Sequence, residues 1–436
     1  MRGVVKVNLW GTTIGYLGYA PKQRSFATFE YDPDFLKTGV QVSPLQVAYP
    51  PSLFTFNQLP YNTFYGLPGF IADSLPDSFG NQLIDIYLSQ HTILPNEVTA
   101  LDRLNYVSNR GMGALEYHPG ETLPLKRTAF DLTELNELAN LVQESKERLH
   151  DKLLSTSDRA TALSMIRIGS SAGGARSKAL VALSKRGNFF DGTVNHGPDY
   201  TYWLLKFDSV TNRDRDSSDP KGMPILEYIY SKIAREVGIE IPHTDLIFDG
   251  EDTHFLIERF DRIIVKNKLD KLHYVSWSGL DHADRDGINS YEQLVLISRK
   301  MRLGAATEME IFRRAVFNII GRNQDDHTKN TGFLMDRSGT WRLSPAFDLT
   351  YSYDPKGRFT RNHQCWLNKK NHDFTYKDLL RFGRFCNLRE RKIREIIEQV
   401  GEAFLGFSHL AKHYELPEEL CKTVEQNLRL SILAEN

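Results

Sequence analysis

The segment Asp325-Asp-His-Thr-Lys-Asn330 limits what this chain can fold into more than any other part of its sequence. It comes shortly after a run, residues 308–320, whose apolar side chains recur at helical spacing. Two strand-like runs then follow within residues 331–343, joined by the turn sequence Asp-Arg-Ser-Gly. We expect this hairpin to return the chain so that Asp348 lies beside Asn330.

Three polar residues of this region carry the groups that phosphoryl transfer needs. Kinases place a carboxylate near the accepting hydroxyl and an amide oxygen on a magnesium ion. Asp325 and Asn330 have the spacing of such a loop, and Asp348 would add a second hard oxygen ligand. Asp326 is an adjacent alternative base, but the spacing to Asn330 favours Asp325. A polar loop without chemistry is the simpler interpretation, and the hairpin with Asp348 makes it the weaker one.

A glycine-rich stretch, Ile168-Gly-Ser-Ser-Ala-Gly-Gly-Ala-Arg-Ser-Lys178, lies between two strand-like runs. Glycines allow backbone N–H groups to approach phosphates closely. The stretch is not a Walker loop, because it contains no Gly-Lys-Ser/Thr sequence. Taken alone, it indicates an ordinary turn more strongly than a phosphate-binding loop.

Lys206 stands among apolar residues in Trp203-Leu-Leu-Lys-Phe207, a predicted strand. A lysine in a buried strand is costly unless it is paired. Kinases use such a lysine on the α- and β-phosphates of ATP and pair it with a glutamate from a helix. Glu227, early in a predicted helix over 224–237, is the candidate partner. The alternative is that Lys206 faces solvent on an edge strand.

The sequence Glu258-Arg-Phe-Asp-Arg262 ends another predicted strand, residues 254–257. An extended segment at this point would offer backbone groups to adenine, with Phe260 packing near the base. A charged strand end with one core aromatic residue fits the composition equally well.

Length and composition describe an ordinary globular protein of more than one unit. The 436 residues are too many for one simple core. The formal net charge of −1 excludes a global basic field that would attract nucleic acid or an anionic membrane. No apolar run approaches the roughly 18 residues that span a bilayer, and the first residues lack a signal-peptide core. The three cysteines, Cys365, Cys386 and Cys421, form no disulfide framework or zinc spacing. We therefore expect a cytoplasmic protein without membrane contact.

The pattern along the chain predicts three parts. Residues 1–130 have the pattern of a mixed α/β unit, and residues 131–265 have mainly strand-like runs after a charged helical connector. Residues 266–436 have mainly helical patterns. The strand-like runs predicted in the middle part are Met165–Ile168, Ala179–Leu183, Tyr202–Phe207, Thr244–Phe248 and His254–Ile257.

These motifs, in this order, resemble the HipA family of bacterial serine/threonine kinase toxins, and the resemblance covers most of the chain. In the first part it rests on Gly66-Leu-Pro-Gly-Phe-Ile-Ala-Asp-Ser-Leu-Pro-Asp77 and Asn109-Arg-Gly-Met-Gly-Ala-Leu-Glu116. In the rest it rests on the glycine-rich stretch, Glu258–Arg262, Asp325–Asn330 and Leu343-Ser-Pro-Ala-Phe-Asp348.

The resemblance implies a role for each matching residue. Asp325 would be the catalytic base, and His327 matches the histidine of the family's catalytic loop. Asn330 and Asp348 match the magnesium ligands. The residues that the resemblance places on ATP are Ser171, Gly173, Gly174, Ala175, Lys206, Glu258 and Phe260. Ser171 also matches the serine that family members autophosphorylate, and its neighbour Ser170 would share that role.

The resemblance implies an α+β fold. Its parts are a bilobal kinase with an additional N-terminal α/β subdomain, a strand-rich small lobe and an all-helical C-terminal lobe. It also implies transfer of the ATP γ-phosphate, with Mg²⁺, to a protein serine or threonine, in translation components such as an aminoacyl-tRNA synthetase. The implied partner is a helix-turn-helix antitoxin of the HipB type, through which operator DNA would mainly be contacted.

Three other functions stay open at this point. One is a small-molecule kinase on the same scaffold, and another is a non-catalytic corepressor that acts with a DNA-binding antitoxin. The third, metal-dependent hydrolysis by the acidic cluster, gives Lys206 and the glycine-rich stretch no role. The sequence also departs from eukaryotic protein kinases, because Asn323-Gln324 precedes Asp325 and Leu349-Thr350 follows Asp348. The switching behaviour of those kinases therefore does not transfer.

Overall fold

The structure is a computed structural model that describes residues 3–21, 24–89, 97–120, 129–144, 167–169, 177–208 and 220–435. Its first unit contains a five-stranded antiparallel sheet with the strand order β4-β3-β2-β1-β5. The strands are β1 (Val4–Leu9), β2 (Thr12–Tyr19), β3 (Ala27–Tyr31), β4 (Leu53–Thr55) and β5 (Leu115–His118). The helices are α1 (Pro33–Leu36), α2 (Tyr61–Phe64), α3 (Gly69–Ala72), α4 (Ser78–Ser89) and α5 (Ala100–Val107). In β1, Val5 and Val7 are buried and Lys6 is exposed, as period-two alternation requires, but Asn8 is buried as well.

The second unit is a second five-stranded antiparallel sheet with the order β7-β6-β8-β10-β9. Its strands are β6 (Lys178–Ser184), β7 (Phe189–Asp191), β8 (Tyr200–Lys206), β9 (Thr244–Asp249) and β10 (Asp252–Glu258). Two helices accompany it, α6 (Leu132–Glu144) and α7 (Met223–Glu236). Most residues of α7 are buried, because the helix packs on β9 and β10 on one side and on helices of the third unit on the other. The sheet and α7 therefore form the small lobe of a two-lobed arrangement.

The third unit is mainly helical. Its helices are α8 (Trp277–Asp281), α9 (Tyr291–Lys300), α10 (Ala305–Ile320), α11 (Tyr376–Phe385), α12 (Glu390–Leu405), α13 (Phe407–His413) and α14 (Glu418–Asn427). Short strands accompany them, namely β11 (Arg262–Val265), β12 (Lys268–Lys271), β13 (His273–Ser276), β14 (Asn289–Ser290), β15 (Gly332–Met335), β16 (Trp341–Leu343) and β17 (Cys365–Trp366). The α+β, two-lobed expectation is confirmed, but "all-helical" was wrong for this lobe. Its β13-β15-β16 sheet supports the loop that carries Asp325.

One predicted strand is wrong and two segments stay untested. Residues 167–169 are helical, so the strand predicted over Met165–Ile168 is wrong at Arg167 and Ile168, whereas Met165 and Ile166 lie outside the described residues. A run of three apolar residues and one arginine is too short to separate the two periodicities. The glycine-rich residues 170–176 and most of a polar run at 212–221 lie outside the described residues. In the part of the chain that is described, no helix is both long enough and apolar enough to cross a bilayer.

The N-terminal unit contacts both lobes through the segment Gly66–Asp77. Asp73 accepts hydrogen bonds from the backbone N–H of Ser276 (2.7 Å) and from its hydroxyl (2.8 Å), at the start of α8. Asp77 forms a 2.7 Å ion pair with Lys178, the first residue of β6. A side chain on Gly69 would collide with the carbonyl oxygen of Gly279, so close packing requires glycine there. This segment thus joins the two lobes through one acid on each side.

Candidate active site

Lys206 ends strand β8 and lies between two carboxylates. Its ammonium nitrogen is 2.7 Å from Oε1 of Glu227 on α7, and it also pairs with Oδ1 of Asp348. Burial alone would lower the pKa of Lys206, but the carboxylates of Asp348 and Glu227 outweigh burial and raise the pKa above its ordinary value. The predicted partner is therefore in contact, and Lys206 is a buried, fully charged cation beside the candidate metal ligand.

Asn330 and Asp348 come together because the predicted hairpin forms. Strands β15 and β16 pair antiparallel, with Phe333 opposite Leu343, and the chain then passes Phe347 to reach Asp348. Asn330 and Asp348 line the same small cavity, of about 20 Å³. Asp348 has a φ of 57°, in the left-handed region that few non-glycine residues adopt and in which Asp is enriched.

The two side chains fit a magnesium ion by donor chemistry. Magnesium prefers carboxylate and amide oxygens, which Asp348 and Asn330 supply. The amide nitrogen of Asn330 donates to the carbonyl oxygen of Asp325 (2.8 Å), which assigns the amide oxygen to the other side. This bond also fixes the candidate ligand to the backbone of the candidate base.

Asp325 is the more open of the two adjacent acids. Its side chain is 46% exposed, and its backbone N–H donates to the hydroxyl of Ser352 (2.9 Å). The side-chain amide of Gln364 donates to Oδ1 of Asp325 at 2.5 Å. Nε2 of His327 is 3.8 Å from the same oxygen, too far for a hydrogen bond. The carboxylate of Asp325 is therefore partly exposed to solvent, and its Oδ1 accepts a hydrogen bond from Gln364.

Asp326 is buried and fully occupied, with a side chain that is 2% exposed. Its carboxylate accepts from the hydroxyl of Tyr291 (2.7 Å), the ring of His363 (2.8 Å) and the backbone N–H groups of Gln364 (2.8 Å) and Cys365 (3.0 Å). Burial would raise the pKa of Asp326, but the bonds from His363 and the other donors outweigh burial and lower it. Asp326 is thus a structural acid, and the geometry favours Asp325 as the base.

Two backbone N–H groups of the segment at 258–262 are bonded within the protein. The N–H groups of Glu258 and Arg259 donate to the carbonyl oxygens of His243 and Tyr202, both at 2.8 Å, so neither is available to an adenine ring. Burial raises the pKa of the Glu258 carboxyl.

The ring of Phe260 does lie near the site. It packs on Phe347, with centroids 5.6 Å apart, and on Tyr274, at 5.8 Å. Phe347 directly precedes Asp348. Phe260 therefore packs against the residue next to Asp348, the candidate metal ligand.

The charged residues on either side of Phe260 contact the N-terminal unit, a role that no local sequence pattern predicts. Asp261 is fully buried, and Arg259 and Arg262 form ion pairs with it at 2.9 and 2.6 Å. Its Oδ2 also accepts from the N–H of Gly113 (2.6 Å). Burial would raise the pKa of Asp261, but the two arginines outweigh burial and hold the pKa well below its usual range. These contacts explain the pairing of the Glu258–Arg262 and Asn109–Glu116 motifs.

The glycine-rich loop residues Ser170, Ser171, Gly173, Gly174 and Ala175 lie outside the described residues. The strand that follows them is described. In the β6–β8 register, Lys178 is directly opposite Lys206. The loop therefore leads into the strand next to the candidate ATP lysine.

Comparison with known protein families decides the classification. Residues 170–406 match the family model described as the HipA-like C-terminal domain, and residues 5–118 match the HipA N-terminal domain. The chain belongs to the HipA family. The resemblance inferred from the motifs is thereby confirmed, and the N-terminal sheet and both lobes correspond to HipA domains.

Individual relatives match over shorter lengths. A putative kinase of Haemophilus influenzae is 30% identical over 160 residues, which are 33% of this chain and 47% of the relative. The serine/threonine-protein kinase toxin HipA of Shewanella oneidensis is 27% identical over 145 residues, 29% of this chain and 33% of the relative. The aligned regions thus span less than half of either curated relative.

A solved HipA structure matches the whole fold. It is the Shewanella oneidensis HipA, HipB and operator DNA complex, with a TM-score of 0.66 and 15% identity. The match covers 99% of this chain and 96% of that chain. At this identity the likeness establishes a shared fold alone.

Proposed function

We propose that this HipA-family protein is an ATP-dependent serine/threonine protein kinase. The observation that carries the proposal is the position of Lys206, paired with Glu227 and Asp348 where the two lobes meet. A buried lysine between a helix glutamate and a metal-binding aspartate is the arrangement with which kinases bind ATP phosphates. A binding module has no need of Lys206, Asp325, Asn330 and Asp348 together.

Each residue has a specific part in the proposed reaction. Lys206 would hold the α- and β-phosphates, for which its raised pKa keeps it charged. Asn330 and Asp348 would hold Mg²⁺, which neutralises charge on the phosphates when bound. Asp325 would accept the proton of the acceptor hydroxyl as that oxygen attacks the γ-phosphate, with ADP as the leaving group.

The test is to incubate the protein with γ-labelled ATP and a cell lysate, and to separate protein from small molecules. Label on a protein serine or threonine, present with wild type and lost with Asp325→Asn, would support the proposal. Label only on a metabolite would favour a small-molecule kinase. ATP binding without transfer to any fraction would favour the corepressor function, and release of free phosphate alone would favour hydrolysis.

We further propose that the glycine-rich loop is an autophosphorylation site, with Ser171 as acceptor and Ser170 as its alternative. A phosphate there would add about two negative charges where those of ATP must bind, and repulsion would disable the site. Mass spectrometry after incubation with ATP should find phosphate on one of the two serines. Absence of phosphate from both would contradict this.

For partners, we propose a helix-turn-helix antitoxin of the HipB type, with operator DNA contacted mainly through it, and a translation protein such as an aminoacyl-tRNA synthetase as substrate. The support is family membership and the Shewanella HipA, HipB and operator DNA complex that shares the fold. The near-zero net charge agrees with indirect DNA contact. A pull-down with a HipB-type protein, with and without operator DNA, would test it.

A further inference from the structure

We propose that Gln364 is a positioning residue that orients the carboxylate of Asp325, a role that rests on the kinase function proposed above. The Gln364 side-chain nitrogen donates to Oδ1 of Asp325 at 2.5 Å, across 39 positions of sequence. Within the described residues, no hydrogen bond reaches Oδ2 of Asp325. The contact therefore fixes one carboxylate oxygen and leaves the other for an acceptor hydroxyl.

Gln364 can do this because its own backbone is held firmly. Its N–H donates to Oδ1 of the buried Asp326 at 2.8 Å, and the next N–H, of Cys365, donates to the same oxygen at 3.0 Å. Cys365 also belongs to β17, which pairs in parallel with β14 at Asn289. Gln364 directly precedes this strand, and a glutamine whose backbone is fixed in this way is a more accurate support than one on a free loop.

The other oxygen of Asp326 connects this segment to helix α9. Oδ2 accepts from the ring of His363 at 2.8 Å and from the hydroxyl of Tyr291, on α9, at 2.7 Å. Asp326 thus anchors residues 363–365 through its carboxylate, and Asp325, its neighbour, accepts from the side chain of Gln364 in that segment. The adjacent acids have different tasks: one is the proposed base, and the other holds the support for that base.

The opposite side of the loop is held by Ser352. Its hydroxyl oxygen accepts from the N–H groups of Gln324 (2.7 Å) and Asp325 (2.9 Å). The backbone of Asp325 is therefore fixed without help from Gln364. This separates the two functions, because loss of the Gln364 amide should release only the carboxylate and not the loop.

The experiment is a double-mutant cycle on kcat and KM. Gln364→Leu in the wild-type background should lower the rate of phosphate transfer by roughly 10- to 100-fold, because misplacing a reacting group by about 1 Å has an effect of that size. The KM for ATP should change less than about twofold, since Lys206 is untouched. In the Asp325→Asn background, where the carboxylate is already gone, Gln364→Leu should have no further effect.

Gln364→Glu supplies a second variant of the same shape. It keeps the size of the side chain but replaces the amide N–H donor by an oxygen, so it cannot donate to Asp325 and should lower kcat at least as far as Gln364→Leu. A role in packing alone would leave kcat unchanged in Gln364→Glu. Gln46→Leu is the matched control: it removes a glutamine that donates to Asp281 (3.2 Å), and it should leave kcat unchanged.

Two results would overturn the inference. One is wild-type kcat in both Gln364→Leu and Gln364→Glu. The other is a loss from Gln364→Leu that is equally large with and without Asp325. If wild type transfers phosphate to no acceptor, the proposed kinase function is wrong and the role of Gln364 is wrong with it. This outcome differs from the two above, in which wild type is active.

Discussion

The ammonium group of Lys206 lies 2.7 Å from the carboxylate of Glu227, and the same ammonium reaches Asp348 on the other side of the lobe junction. Lys206 is therefore shared between a small-lobe helix and a candidate magnesium ligand of the large lobe. We expect Lys206 and the metal to compete for Asp348. Glu227 should weaken that competition, because it offsets part of the charge of the lysine.

The first prediction concerns this competition. Glu227→Gln removes one of the two carboxylates that pair with Lys206. The ammonium group should then bind Asp348, the other carboxylate, more strongly. The magnesium concentration for half-maximal phosphate transfer should rise several-fold, measured by titrating MgCl₂ at saturating ATP. Glu240→Gln, which removes an exposed glutamate beside Arg342, is the control and should leave the requirement unchanged. An unaltered magnesium requirement in Glu227→Gln would argue against the competition.

The second prediction concerns the ion pair between the N-terminal unit and the small lobe. The side chain of Lys178 is 2% exposed and that of Asp77 is 12% exposed. Burial lowers the pKa of Lys178, and Asp77 counters that effect. Asp77→Asn leaves a buried cation with a weaker partner, so the free energy of unfolding should fall by about 3–5 kcal/mol in urea titration.

Two further variants separate charge from packing at that contact. Asp77→Leu combined with Lys178→Met replaces the pair by apolar groups and should recover most of the loss. Asp34→Asn, which breaks a fully exposed pair with Lys37, should have no measurable effect. An unfolding free energy of Asp77→Asn equal to that of wild type would contradict the importance of the buried pair.

The third prediction concerns acid. His273 is fully buried, and its Nε2–H donates to the carbonyl oxygen of Val42 (2.8 Å), where the N-terminal unit meets the large lobe. Burial lowers the pKa of His273 to about 4. The folded state therefore favours the neutral ring, and the contribution is complete above the unfolded pKa of about 6.5. Between pH 6.5 and 4 the unfolded chain binds the extra proton, so stability should fall by up to about 3 kcal/mol from this residue.

Chemical denaturation at pH 7, 5.5 and 4.5 measures that slope. His273→Gln keeps a side-chain N–H for Val42 and cannot titrate, so its unfolding free energy should decline less over the same range. His282, which accepts from the N–H of Gly69 (3.0 Å) and whose pKa burial also lowers to about 4, should contribute to the slope that remains. A slope identical in wild type and His273→Gln would exclude His273 as a source.

Local patterns predicted much of the site. Apolar periodicity identified the helices that became α7 and α10, and the turn chemistry identified the β15–β16 hairpin. The pairing of Lys206 with Glu227 followed from the cost of burying a lone charge. These features depend on residues that are close in sequence or on one strong physical requirement.

What the sequence did not predict depends on contacts between distant positions. Gln364 meets Asp325 across 39 residues, and Asp77 meets Lys178 across 101. Such pairs leave no periodicity, and a polar residue in a loop looks the same whether it is buried or solvated. The burial of Asp326 is the clearest case. Asp325 and Asp326 are adjacent and chemically identical, yet the side chain of Asp325 is exposed and that of Asp326 is buried. The charged Glu258–Arg262 motif is a similar case, because nothing local to it indicates that Asp261 binds Gly113 of the N-terminal unit.

The most direct test of the central claim compares ATP binding and phosphate transfer in wild type and Asp325→Asn. ATP affinity is measured by calorimetry with MgCl₂, and transfer to protein is measured as a single-turnover rate with γ-labelled ATP. We expect ATP to bind Asp325→Asn within about twofold of wild type, since Lys206, Asn330 and Asp348 remain. The transfer rate should fall on the order of a thousandfold, because the base is lost. Transfer by Asp325→Asn at the wild-type rate would contradict the assignment of the site.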